Sequence, residues 1–77
     1  MKAWRASIRG WNIEGIIAAE TRAKAIYIVY SSGKDAGYQL KFADINVRRE
    51  PKYDKWAENP HNASKFMDEK YITITVD

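Results

Sequence analysis

Cysteine is absent from this chain, and histidine occurs only once, as His61 in a polar stretch. The lack of cysteine excludes disulfides, thiolate nucleophiles and zinc sites with sulfur ligands. Histidine is the residue that general acid–base catalysis and metal binding use most often, and here there is only one. The acidic residues are scattered and offer no pair at the spacing of metal ligands on a helix. None of the four glycines lies in a phosphate-binding pattern, and no serine has a base placed beside it. The sequence therefore predicts a protein that is not an enzyme and has no metal site or cofactor.

Long apolar runs are also missing. No stretch approaches the roughly 20 residues that a membrane-spanning helix needs, so we expect no membrane partner. The first residues, Met1-Lys2-Ala3-Trp4-Arg5, lack the apolar segment of a secretory signal. A cytoplasmic location is the expectation that follows.

What the chain does contain is enough apolar material for one core. Its 77 residues are 45% hydrophobic and 13% aromatic, whereas disordered segments have few aromatic residues. A chain this short buries only about 60% of the surface that it exposes when unfolded. We therefore expect a single domain over residues 1–77 with a thin core, which a second copy could complete as a homodimer.

Charge is distributed unevenly along the chain. Residues 1–49 contain nine basic and four acidic residues, a net charge of +5, whereas residues 50–77 have a net charge of −2. A basic segment favours an anionic partner, either nucleic acid or an acidic protein surface. Charge on small domains also serves simply to solvate the surface.

The first third of the chain has the pattern of two strands. Apolar and polar residues alternate from Lys2 to Arg9, with Trp4, Ala6 and Ile8 on the side expected to be buried. The segment from Gly10 to Gly15 resembles a hairpin loop, and Ile16 to Glu20 supplies the returning strand. These two strands are predicted to be antiparallel neighbours.

A helix is predicted next. Thr21 is suited to be its N-cap, and Gly37 can close it after Lys34 or Ala36, with Gly33 as a competing end. The apolar residues expected on one helical face are Ala23, Ile26, Tyr27 and Tyr30. Residues 26–30 are rich in β-branched and aromatic residues, so a strand there is the alternative.

The remaining chain is predicted to alternate strands with a loop and a short helix. Tyr38 to Val47 is expected to be extended with a bend at Ala43-Asp44, and Pro51 ends that strand. The polar segment 52–62 is predicted to be a loop pinned by Tyr53 and Trp56. A short helix capped by Ser64 would run through Lys70, followed by a last strand from Tyr71 to Asp77.

These elements predict an α+β fold: a mostly antiparallel four-stranded sheet in the order ββαβ, short helix, β, with one main helix on one face. The other face is predicted to be open to a partner. Residues expected on that open face are Arg5, Ser7, Arg9, Lys41, Thr73 and Thr75.

Basic residues mixed with aromatic residues are the one pattern that suggests a binding mechanism, since guanidinium groups can contact phosphates while an exposed ring stacks on a base. Most aromatic residues of so short a chain are needed for the core, but Trp11 lies in a loop where an indole is hard to bury. Packing of Trp11 over the end of the sheet is an equal alternative, and the basic pair 48–49 could instead discourage edge-to-edge pairing. The residues predicted to contact a partner are Arg5, Arg9, Trp11, Lys41, Arg48 and Arg49.

Three stretches and one proline resemble short uncharacterised proteins of phages and prophages. The stretches are Ala18-Ala19-Glu20-Thr21-Arg22-Ala23-Lys24-Ala25, Asp35-Ala36-Gly37-Tyr38 and Phe42 to Arg49, and the proline is Pro51. The resemblance spans residues 18–54. It implies that the first stretch opens a helix and that Val47-Arg48-Arg49 ends a strand, and it implies no activity. Small α+β phage proteins include inhibitors of bacterial immunity, such as anti-CRISPR proteins, that act by blocking a surface. If the chain is phage-encoded, its location is the host cytoplasm.

Three functional hypotheses follow. The first is a non-catalytic phage-type protein that blocks the surface of a host or viral protein or nucleoprotein, with inhibition of bacterial defence as one such role. The second is a DNA- or RNA-binding module that uses the same residues. The third is a dimeric sponge for nucleotide signals, with a cleft between two copies lined by aromatic and arginine side chains.

Overall fold

A computed structural model describes residues 1–72 of the chain and shows a four-stranded antiparallel sheet. The strands are β1 (Lys2–Ile8), β2 (Glu14–Ala19), β3 (Ile45–Arg49) and β4 (Phe66–Met67), and they lie in the order β3-β1-β2-β4. One main helix, α1 (Arg22–Asp35), and one short helix, α2 (Asp54–Glu58), complete the fold. The predicted α+β class, with an antiparallel sheet and one main helix, is confirmed.

The β1–β2 hairpin follows the predicted alternation. Trp4 lies opposite Ile17 and Ala6 opposite Gly15 in the register of the two strands. Trp4, Ala6 and Ile8 are buried beneath α1, and the Trp4 indole N–H donates to the carbonyl of Ala19 at 3.0 Å. The indole thereby satisfies its one polar group inside the core, as a buried tryptophan requires.

Helix α1 begins as predicted, at Thr21. The Thr21 side chain accepts a hydrogen bond from the backbone N–H of Lys24 at 3.2 Å, and Thr21 itself has extended backbone angles, as an N-cap does. Gly37 follows the helix with φ of +87°, a conformation that favours glycine. The N-cap at Thr21 thus wins over local β propensity, and the alternative of a strand at 26–30 is wrong.

The buried face of α1 differs from the prediction. The helix buries Ala25 and Val29 against the sheet, whereas Ala23 is exposed and Tyr27 is 63% exposed. The predicted face is therefore wrong by more than about a third of a turn, at 3.6 residues per turn, although Ile26 and Tyr30 lie at the border of the true contact. The size of a tyrosine ring does not by itself predict burial, because its polar hydroxyl allows the ring to stay exposed on a helix, as Tyr27 does.

Strand β3 is shorter than predicted. Residues 38–41 have no regular structure, a 3₁₀ turn occupies Phe42–Asp44, and the strand begins only at Ile45. The bend predicted at Ala43-Asp44 is thus a 3₁₀ turn rather than a bulge in a continuous strand. As predicted, β3 ends before Pro51, which begins the next 3₁₀ turn.

Strand β3 is the edge of the sheet, and a side chain from α1 covers part of it. The Nε of Arg22 donates to the carbonyl of Val47 at 2.9 Å. The carbonyl of Asp44 points toward β1, because it accepts a hydrogen bond from the Arg9 N–H. Carbonyl groups alternate in direction along an antiparallel strand, so the Val47 carbonyl points away from β1. Arg22 therefore satisfies a group that an added strand would otherwise pair with.

The second face of the sheet is not open along its whole length, so that prediction is wrong. Residues 52–62, predicted as a loop, contain the end of a 3₁₀ turn (Pro51–Tyr53), α2 and another 3₁₀ turn (Pro60–Asn62). Tyr53 and Ala57 are buried against Ala3, Ile16 and Ala18, with Trp56 packed beside them. The contact with the sheet stabilises α2, which at five residues is too short to form by local propensity.

The segment after α2 also departs from the prediction. The helix expected from Ser64 through Lys70 is wrong: Ser64 has φ of +62°, which a helix N-cap does not adopt, and β4 and a 3₁₀ turn at Glu69–Tyr71 follow. The fourth strand of the sheet is thus β4. The predicted strand from Tyr71 to Asp77 lies outside the described residues from Thr73 onward, as do the expected face residues Thr73 and Thr75.

Candidate functional site

Arg5 occupies the part of the second face that α2 leaves uncovered, where three carboxylates surround it. Its Nε donates to Glu50 Oε2 at 2.6 Å, and its Nη1 donates to Glu14 Oε1 at 2.6 Å and to Glu69 Oε2 at 2.7 Å. The Arg5 side chain is only 13% exposed. Together these groups carry more negative than positive charge, so the basic surface expected around Arg5 is absent.

The same cluster changes the proton affinity of Glu69. Hydrogen bonds from Arg5 and from the Tyr53 hydroxyl, the latter 2.6 Å long, lower the pKa of Glu69 to about 2. The reverse effect raises the pKa of Tyr53, because its neutral hydroxyl donates to Glu69 and is partly desolvated. The three glutamates also raise the pKa of Arg5, whose charge is permanent in any case.

A shallow groove of about 420 Å³ lies beside Arg5 on this face. Ser7, Asn46 and Arg48 line it together with Glu14. Arg48 is exposed and forms no ion pair with any residue of the range 1–72, so the groove presents one unneutralised guanidinium to solvent.

Arg49 is occupied by contacts inside the fold. It makes two hydrogen bonds with the Asp54 carboxylate, at 2.9 and 2.8 Å, and a third with the carbonyl of Ala3. Its guanidinium also lies 5.3 Å from the centre of the Trp4 ring. Arg49 and the N–H of Ala3 together lower the pKa of Asp54 to about 2. These contacts fasten α2 to β1 and β3 and leave Arg49 poorly placed to contact a partner.

Aromatic side chains gather at the opposite end of the sheet, around the β1–β2 hairpin. Trp11 packs edge-to-face against Tyr38, with ring centres 4.8 Å apart, and Tyr30 stacks on Phe42 at 4.1 Å. Three of these rings remain substantially exposed: Trp11 by 37%, Tyr38 by 48% and Phe42 by 52%. We call the surface formed by Arg9, Trp11, Tyr38, Lys41 and Phe42 the aromatic end.

Backbone hydrogen bonds hold the segments of the aromatic end together. Gly10 allows the hairpin to turn with φ of +81°, and the backbone N–H of Trp11 donates to the carbonyl of Ile8. The Arg9 N–H donates to Asp44 at 2.7 Å, and the Tyr38 N–H donates to Gly33 in the last turns of α1 at 2.9 Å. The segment 37–44 is thereby fixed between the hairpin tip and the end of α1.

The six predicted contact residues fall into separate places. Arg9, Trp11 and Lys41 lie at the aromatic end, and the first and last of them are exposed cations without an ion pair in residues 1–72. Arg5 and Arg48 lie at the groove, and Arg49 lies against Asp54. They do not form one continuous basic surface.

Tyr38 and Phe42 lie exposed at the aromatic end, although the sequence predicts both within an extended strand and neither among the six contact residues. The nearby Gly37 and the break at Ala43-Asp44 were the available signals that this stretch leaves the sheet.

Two further features bear on the chemistry of the described residues. His61 lies exposed in a 3₁₀ turn, where its backbone N–H donates to the Asn59 side chain. In residues 1–72, no three His, Cys, Asp or Glu side chains come together as metal ligands would, and no helix of that range is long and apolar enough to cross a membrane.

Comparisons with protein-family models, with curated proteins and with solved structures find no match for this chain.

Proposed function

We propose that this chain is a non-catalytic binding protein that acts by covering a surface of a protein or nucleoprotein partner, and that the aromatic end is its contact surface. The observation that carries the proposal is the exposure of Trp11, Tyr38 and Phe42 beside two exposed cations, Arg9 and Lys41, that form no ion pair in residues 1–72. Exposed apolar clusters of this kind mark interaction sites, and tryptophan, tyrosine and arginine dominate binding energy at interfaces.

The charges at the aromatic end indicate the chemistry of the partner. Arg9 and Lys41 are exposed and form no ion pair in residues 1–72, so an acidic protein surface complements them. Such a partner would be drawn toward this end of the molecule rather than toward the Arg5 cluster, where carboxylates outnumber the guanidinium. The resemblance to phage and prophage proteins makes a host or viral macromolecule the partner to test first, and inhibition of a bacterial defence system is one consequence that such blocking would have.

Nucleic acid binding is a second candidate, favoured by one specific observation. Phe42 and Tyr38 present exposed rings on either side of Lys41 in the sequence, a combination that can stack bases while contacting phosphates. The third hypothesis, a dimeric sponge for nucleotides, stays a prediction, since it depends on a cleft between two copies.

A capture experiment with paired variants tests the proposal. The tagged chain is compared with Lys41→Glu/Phe42→Ala. The control is Tyr27→Ala/Lys65→Glu, which makes the same reversal of charge and removes one exposed ring outside the aromatic end. We expect the bacterial partner retained by the wild type and the control to bind the first variant about thirtyfold or more weakly, as truncation of an interface hot spot implies. Equal retention by all three proteins would overturn the proposal.

Fluorescence anisotropy with a labelled single-stranded oligonucleotide decides between the two candidates. If nucleic acid is the partner, affinity falls steeply between about 50 and 200 mM salt and is lost in Lys41→Glu/Phe42→Ala. If a protein surface is the partner, wild type and variant show the same weak binding to the oligonucleotide.

A further inference from the structure

An apolar cavity of about 130 Å³ lies beneath the aromatic end, between the last turns of α1 and the hairpin. Ile8 and Val29, both buried, form its floor. Its remaining apolar walls are the side chains of Ile13, Leu40 and Phe66, with Trp11 and Tyr38 at its rim.

The cavity exists because α1 has small residues where a core helix would place large ones. Ser32 near the end of α1 and Ala36 directly after it lie three and seven positions after the buried Val29, on the side that faces the sheet, yet both are exposed. Gly33 lies beside them and is covered by Leu40. The last turns of α1 therefore face the sheet with small side chains, and the space between helix and sheet is left unfilled.

The size of the cavity limits what it can hold. Pockets for complete small-molecule ligands usually measure about 300–1,000 Å³. An engineered apolar cavity of about 150 Å³ stays dry and accepts benzene. The space beneath the aromatic end therefore suits one ring or one branched aliphatic group, and its apolar walls give no partner to a charged or strongly polar group.

We propose that this cavity receives a single apolar side chain, aromatic or branched, from the protein partner. The inference rests on the proposed function, because the cavity opens within the surface assigned to contact. Interface hot spots are commonly anchor side chains that fill such a pocket and are ringed by side chains that exclude water. Trp11 and Tyr38 are placed to form that ring around the anchor.

Benzene is the probe for the cavity itself. In a ¹H–¹⁵N correlation spectrum, we expect benzene to shift the indole N–H signal of Trp11 saturably, while those of Trp4 and Trp56 stay in place. The Trp11 signal is assigned by its loss in Trp11→Phe. The absence of any saturable shift would overturn the inference.

A filling variant makes the test specific. Ser32→Leu adds an apolar side chain on the cavity side of α1, and Ala23→Leu adds the same group on the exposed side. We expect Ser32→Leu to abolish the benzene shift and Ala23→Leu to retain it, with thermal unfolding showing that both variants are folded. Equal benzene shifts in the two variants would contradict the assignment of the site.

Partner capture separates this inference from the proposed function. We expect Ser32→Leu to weaken capture about tenfold or more and saturating benzene to compete with the partner, while Ala23→Leu behaves as wild type. Undiminished capture by Ser32→Leu would overturn the anchor and leave the aromatic end as the contact surface, provided that Lys41→Glu/Phe42→Ala still fails to bind. Equal capture by Lys41→Glu/Phe42→Ala would overturn the proposed function, whatever benzene does.

Discussion

Arg5 connects parts of the chain that are far apart in the sequence. Its guanidinium contacts Glu14 on the neighbouring strand, Glu50 just after β3 and Glu69 near the end of the described residues. Removing one partner from such a cluster leaves the others uncompensated, so the cost exceeds that of a surface ion pair. Arg5 therefore has a structural role, since its guanidinium is nearly buried and is occupied by three carboxylates.

Replacing Arg5 by methionine should destabilise the protein by about 2 kcal/mol, the range for a hydrogen bond to a charged group. The three carboxylates then repel one another, and the pKa of Glu69 rises, because Glu69 loses the guanidinium that lowers it most. Urea unfolding followed by tryptophan fluorescence at neutral pH measures the loss. The deficit relative to wild type should shrink as the pH falls below about 4.5, because the wild type then loses the stability that the Arg5–Glu69 contact supplies and the variant no longer has it to lose.

The matched control is Arg48→Met, since Arg48 lies directly opposite Arg5 on β3 but has no ion pair in residues 1–72. Surface substitutions of this kind usually change stability by less than about 0.5 kcal/mol. A loss for Arg48→Met as large as that for Arg5→Met would contradict the role assigned to the cluster.

Among the elements, α1 depends most visibly on a local sequence signal. Its start is fixed by the hydrogen bond from the Lys24 N–H to the Thr21 side chain, and an ion pair between Glu20 and Lys24, 2.9 Å long, supports the first turn. The hydrogen bond from the Lys24 ammonium to Glu20 and the positive charge of Lys24 lower the pKa of Glu20. Helix α2 lacks such signals and depends on its packing against β1 and β2.

Thr21→Ala should cost about 1 kcal/mol in the free energy of unfolding, the usual cost of losing an N-cap side chain. Thr21→Ser keeps the hydroxyl and should stay within a few tenths of a kcal/mol of wild type. Chemical unfolding of both variants measures the difference. Equal losses in the two variants would show that the methyl group, rather than the cap, matters at this position.

The contrast between α1 and α2 explains how much of the fold the sequence predicts. Periodicity and a cap identify β1, β2 and α1, because those signals lie within a few residues of one another. Helix α2 forms because Ala57 and the preceding Tyr53 are buried against Ile16, and no local pattern predicts that burial. The short strand β4 likewise owes its two residues to pairing with Ile16 and Ile17.

The candidate site was predictable to the same extent. The position of Trp11 between Gly10 and Asn12 indicates an exposed loop residue, and strand alternation places Arg9 and Lys41 on the face away from the predicted helix. The structure places all three residues at one end, and all three are exposed. Arg5 and Arg49 lie against carboxylates rather than on the predicted basic surface. The sequence pattern could not show this for Arg5, because its partners include Glu50 and Glu69, 45 and 64 residues away.

For the molecule as a whole, two lowered carboxylate pKa values tie stability to pH. Asp54 connects α2 to Arg49 and Glu69 connects the segment after β4 to Arg5, and each carboxylate has a pKa near 2 in the folded protein, against ordinary values of 3.8 and 4.5. A carboxylate with a lowered folded-state pKa adds stability above its unfolded pKa, and that stability is lost as the pH falls through the folded pKa.

The free energy of unfolding should therefore be steady above about pH 5 and should fall as the pH is lowered from about 4.5 to about 2. Urea unfolding at a series of pH values measures this. Asp54→Asn should be less stable at neutral pH and should lose less stability on acidification, since one of the two groups no longer titrates. Equal pH dependence in wild type and Asp54→Asn would show that Asp54 does not contribute.

The position of β1 in the sheet has a consequence for how the chain folds during synthesis. β1 is made first but lies between β2 and β3, and Arg5 meets its last partner 64 residues later. A nascent chain can form the β1–β2 hairpin and begin α1, yet it cannot complete the sheet until β3 and then β4 have left the ribosome. Pairings between distant parts of a chain slow folding, so we expect the sheet to form in one late, cooperative step rather than strand by strand.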